Sequence, residues 1–211
     1  MRFLKSLSVL SASMLAIACS DGTAPQLQPE PDDPPLAEPV QLTPGTTVGS
    51  QRFPIGNTER GGQGEPVSGV GCLETIAYHR HAHLSLFVEG ERVAIPAAVG
   101  ITNPVMQDGF AFGPAGSCLY WAHTHDASGF IHIEPPSTDI IVTLGQFFDI
   151  WGHPLAADNV AGFRGPVFVY VDGVRFRGDP RTIPFTQHGH IALYVGTPLP
   201  PIPTYIFPTG Y

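Results

Sequence analysis

Nine histidines lie between His79 and His190, and none elsewhere in the 211 residues. Seven of them follow a His-x-His spacing: His79, His81 and His83, then His123 and His125, then His188 and His190. Alternate side chains of an extended strand share a face, so each such pair aims two imidazoles the same way. Imidazole is the commonest metal ligand, and three of its nitrogens with a carboxylate or water make a zinc or copper(II) site. The expected ligands are His81, His83, His123, His125 and His132. His79, Asp126, Glu134, His188 and His190 are further candidates. His153, between Gly152 and Pro154, reads as a loop residue. Copper or zinc suits this donor set best, and iron also fits.

The elements that must hold these residues read as strands, because the hydrophobic period from Thr75 onward is two. Leu84–Val88, Glu89-Gly90 and Arg92–Ile95 form a hairpin pattern, and so do Val167–Val171, Asp172-Gly173 and Val174–Arg177. Leu119–His125 turns at Asp126–Gly129 and returns as Phe130–Glu134; Ile140–Val142 and Ile191–Val195 read as further strands. Leu144–Trp151 is a short helix with Thr143 as its N-cap. These elements predict an all-β fold, an antiparallel β-sandwich or barrel with one short helix. In the first strand, His79, His81, His83, Ser85 and Phe87 share a face, opposite Ala82, Leu84, Leu86 and Val88. His132 and Glu134 likewise oppose Ile131 and Ile133. Two hairpin registers stay open, pairing His132 with His123 or with His125; both keep the histidines on one face, whereas a one-residue slip does not. His81-Ala-His83-Leu-Ser-Leu-Phe-Val88 also echoes His188-Gly-His190-Ile-Ala-Leu-Tyr-Val195.

Composition divides the chain. Residues 1–19 read as an export signal: Arg2 and Lys5, a short apolar run, then Ala18-Cys19. The small residues before Cys19 resemble a lipobox whose cysteine is lipidated; the alternative is ordinary cleavage near Ala18. With the signal removed, eight arginines face 18 acidic residues, and no lysine remains. That balance excludes a generic nucleic-acid binder and lysine Schiff-base chemistry. Residues 20–50, proline-rich and acidic, read as a disordered tether, leaving 51–211 as a single β-domain with an extended proline-rich tail. Cys72 and Cys118 are expected to form a disulfide in an oxidising compartment, with Cys118 near His123 as the alternative thiolate ligand. The expected place is the cell envelope, at the outer membrane, with the lipid as the sole membrane contact. Among catalytic motifs, G-x-S-x-G, H-E-x-x-H and the P-loop are all missing from the sequence.

Tyr78-His79-x-His81-x-His83, Tyr120-Trp121-x-His123-Thr-His125-Asp126, Ile131-His132-Ile-Glu134 and Leu144–Trp151 together resemble an uncharacterised family of exported microbial proteins, over about residues 70–195. The resemblance implies export and no particular activity. The isolated His-x-His pairs are also similar to those of cupins, without their glycine-rich spacing. Three functions follow from the residues. The first is a lipid-anchored copper- or zinc-binding protein. The second is a metalloenzyme, an oxidoreductase or hydrolase, with an open coordination position and Asp126 or Glu134 as acid/base. The third is a metal-free adhesion or carbohydrate-binding sandwich that uses Tyr78, Tyr120, Trp121, Phe130, Phe147, Phe148 and Trp151 as a platform.

Overall fold

The computed structural model describes residues 32–211; the segment read as an export signal, Cys19, and the expected tether up to residue 31 lie outside the described residues. The fold is all-β with one α-helix. Seven strands form the main sheet: β1 (Arg80–Val88), β2 (Glu91–Val93), β3 (Ala122–His123), β4 (Phe130–Ile133), β5 (Val167–Val171), β6 (Val174–Phe176) and β7 (His190–Val195). Their order is β6-β5-β7-β1-β4-β3, with β2 also paired to β1. The sheet is open rather than a barrel, and it is not wholly antiparallel, because β7 lies parallel to β1. That ladder joins the two echoing segments in register, His190 opposite His83 and Val195 opposite Val88. A parallel neighbour cannot be reached by a tight hairpin, and residues 89–189 form the connection between these two strands.

One face of the sheet is the apolar core. Ala82, Leu84, Leu86, Ala122, Ile131, Ile133, Ile191 and Leu193 are buried there with Phe147, Phe148, Ile150 and Trp151 of α1 (Leu144–Trp151). The helix starts where expected. The Thr143 hydroxyl accepts from the Gln146 backbone N–H, and the Gln146 side chain accepts from the Thr143 N–H, a reciprocal cap that satisfies two end donors. It stops at Gly152, whose φ of 83° is the left-handed conformation glycine favours. The Cys72–Cys118 disulfide is formed, with Cα atoms 5.1 Å apart.

Two expectations need correction. Ile140–Val142 is not a strand. It lies beside residues 183–185, and only Thr143 forms a bridge there, to Pro184; proline has no N–H with which to extend a ladder. Nor do residues 33–50 form part of a tether. From Asp33 onward the chain belongs to the domain. The Asp33 carboxylate accepts from the Tyr170 hydroxyl (2.9 Å) and the Arg175 guanidinium (3.0 Å), Leu42 is buried, and Val40–Gln41 pairs in parallel with Tyr205–Ile206. Proline-rich segments cannot build a core, but the extended conformation they favour is the one a strand partner requires. The extended proline-rich tail serves as that partner.

Candidate metal centre

The histidines occupy the sheet face opposite the core. β4 sits between β1 and β3, and the registers set His132 opposite His81 on one side and opposite His123 on the other. Three imidazoles thus form a row across the strands, His81–His132–His123. His125 follows His123 by two residues and extends the cluster at one side of the row. At the other side, His79 precedes His81 by two residues and meets Glu134. Of the two registers open in the sequence, the four-residue closure with His123 opposite His132 is the one formed.

This face is covered, although it is not the core. Segments around Pro96–Ile101 and the short hairpin Val105–Gln107/Phe110–Phe112 lie over His123 and His125. The Thr124 hydroxyl donates to the Pro96 carbonyl (2.8 Å) and the Ala111 N–H to the His125 carbonyl (2.6 Å). The Tyr211 ring lies over His81, with centroids 4.5 Å apart. His81, His123 and His132 are consequently buried, while the His79 side chain stays 46% exposed.

Two groups of three histidines bring one nitrogen each within 4.8 Å of one another: His123, His125 and His132, and His79, His81 and His132. In the first group the orientations of two rings, His123 and His125, are fixed by backbone. The His123 Nδ1–H donates to the Tyr120 carbonyl (2.8 Å) and the His125 Nδ1–H to the Ala111 carbonyl (2.7 Å). In a neutral imidazole that leaves Nε2 as the lone-pair nitrogen. The two Nε2 atoms face each other 3.2 Å apart, and with both Nδ1 protons committed neither ring has a proton to donate to the other. A cation held between them would satisfy two lone pairs at this distance. Bonds of about 2.0–2.1 Å to one tetrahedral ion set neighbouring nitrogens about 3.3 Å apart, close to what is found. Anchoring the second ring nitrogen on a carbonyl is the usual support of a metal-bound histidine.

Burial, reinforced by the surrounding imidazoles, favours the neutral, metal-binding form of His81, His123 and His132. The pKa of His123 falls to about 3 and that of His81 to about 4, and His132 is pushed down for the same reasons. At the second group, His79 Nε2 lies 3.1 Å from His132 Nδ1 and 3.0 Å from Glu134 Oε1.

Five candidates stand apart from both groups. His83 is fully buried but faces Phe130 across the ladder, one step beyond the row. Its Nε2 donates to the Ser128 carbonyl (2.9 Å) and its Nδ1 faces the Ser85 hydroxyl (3.4 Å), so both nitrogens already have partners. Asp126 closes the hairpin: its carboxylate accepts from the Ser128 N–H and hydroxyl and from the Gly45 N–H. His188, at φ 58°, stacks on Phe207 and bonds to the Tyr211 carbonyl. His190 points toward Tyr205 and Phe207. Cys118, the alternative thiolate ligand, is consumed in the disulfide. His153, read as a loop residue, packs against Trp151 and Phe53.

Sequence reasoning missed the Tyr120 and Ala111 carbonyls that orient the rings, Gln187, whose side chain accepts from the His81 N–H (3.0 Å), and the Tyr211 cover. Carbonyls leave no trace in residue type, and the cover depends on where a long tail returns. No protein-family model, curated protein or solved structure matches the chain.

Proposed function

We propose that this chain is an exported, lipid-anchored protein of the cell envelope that binds copper or zinc through its buried histidine row, for storage, delivery or sensing of the metal. The facing Nε2 atoms of His123 and His125, each ring fixed through Nδ1 by a backbone carbonyl, carry the metal-binding part of this reading. Binding is favoured over catalysis because the acid/base candidates are already engaged, Asp126 with three donors and Glu134 with His79. A sugar platform of exposed rings is disfavoured, since Tyr120, Phe130, Phe147, Phe148 and Trp151 are buried. Export is supported by the Arg2–Cys19 pattern and by the disulfide, and anchoring by the small residues before Cys19.

Elemental analysis of the chain purified after growth with copper, zinc and iron tests the metal reading. Stoichiometric copper or zinc supports it, and a metal-free protein after loading with each ion overturns it. Loss of the chain from the membrane fraction on Cys19→Ala tests the anchor separately.

A further inference from the structure

Every other buried histidine described above has a ring nitrogen bonded to protein backbone, or stands in only one histidine group; His132 differs on both counts. It belongs to both groups. Among the described residues its hydrogen-bond partner is another imidazole, His79, facing Nδ1 at 3.1 Å. No carbonyl or carboxylate anchors it in the manner usual for a ligand to a single ion. Its position explains why. It is the middle member of the row, flanked by strands that each carry a histidine at the same level. The His81 and His125 rings stand nearly perpendicular to it, at 80° and 87°, with centroids 4.5 and 4.6 Å away. The two nitrogens of an imidazole lie on different edges of the ring, so one ring can serve two ions.

We propose that His132 carries a transition-metal ion on each ring nitrogen, so that the chain holds a bridged pair of ions, one with His123 and His125, the other with His79 and His81. This rests on the metal-binding reading above and deepens it. The second ion displaces the remaining ring proton of His132 to solvent, making the ring a bridging imidazolate, and no electron is transferred. Glu134, 3.0 Å from His79 Nε2, supplies negative charge beside the second ion, where two cations and few counter-charges would otherwise meet in a buried site. The second site is the accessible one, because the His79 side chain is half exposed while His123 is fully buried. It therefore exchanges its ion with solvent faster than the first.

The test uses copper(II) alone, added to the full chain, with bound copper counted by elemental analysis and unpaired spins counted by electron spin resonance. The bridged pair gives two copper ions per chain and a spin signal well below the copper content, because the ring couples the two ions. His79→Ala, at a half-exposed position where folding is not at stake, reduces binding to one ion and restores one full spin per copper. Two ions with two full, uncoupled spins overturn the bridge. One ion in the unaltered chain, unchanged by His79→Ala, overturns the second site but leaves the first metal reading standing. No copper at all overturns both.

Discussion

The division of labour among the histidines follows from where each nitrogen already has a partner. His125 presents a free Nε2, held in aim by the Ala111 carbonyl, whereas His83 spends both nitrogens on Ser128 and Ser85. His125→Ala is therefore expected to weaken zinc or copper binding by at least about 10-fold, the lower end of what even supporting residues of metal sites cost. His83→Ala is expected to leave stoichiometry unchanged and to lower stability by about 1–3 kcal/mol, since it strips a partner from buried polar groups. Competition titrations and urea unfolding on the two variants separate these outcomes. The same desolvation gives a pH dependence. Folded His123 and His81 take up protons only near pH 3 and 4, while in the unfolded chain histidine does so near 6.5. Below about pH 6.5 the unfolded state thus binds more protons, so stability is complete above that pH and declines as the pH falls toward 4. Urea midpoints of the metal-free protein at pH 7.5, 6 and 5 should fall in that order. Bound metal should raise each midpoint at which it stays bound.

The strands convert that chemistry into geometry. The period-two pattern told that His81, His83 and His132 lie opposite the apolar stripe of their strands, and the helix Leu144–Trp151 with its Thr143 cap was readable residue for residue. Which histidines meet was not readable, because it depends on strand order and on a register shared by three strands. His81 and His83 look equivalent in the sequence, but β4 sets His132 beside one and Phe130 beside the other. Nor could periodicity foresee Pro184 ending the ladder at Thr143, or a tail pairing with residues 40–41. The row also depends on close approach of the covering segment. Gly100, at φ 77°, lies where an added Cβ would sit 2.5 Å from the Ala122 carbonyl and 3.0 Å from the His123 Cβ. Gly100→Ala is expected to lower metal affinity although it removes no ligand, because displacement of β3 misplaces His123. Unchanged affinity in that variant would show that the cover does not position the ring.

Over the whole chain, a domain with few charges and many prolines holds a polar cluster between an apolar core and a wrapping of loops and tail. Such a domain relies on constraints as well as burial. The Cys72–Cys118 link spans 46 residues, a loop for which chain-entropy arguments give about 4 kcal/mol of stabilisation. Cys72→Ser with Cys118→Ser should lower the thermal midpoint markedly, and reduction of the unaltered protein should do the same. Metal, if it bridges β1, β3 and β4, offsets part of that loss by binding only the folded state. An equal midpoint shift with and without metal would mean the ion does not join these strands.

That the buried histidine row is a metal centre can be read from the coordination shell itself. X-ray absorption of the zinc- or copper-loaded chain should show nitrogen neighbours at about 2.0 Å with the outer scattering of imidazole rings, and the combined His81→Ala, His123→Ala and His132→Ala variant, which removes the row and cuts into both histidine groups, should lose that pattern. An oxygen-only shell, or an imidazole shell that survives the triple substitution, would contradict it.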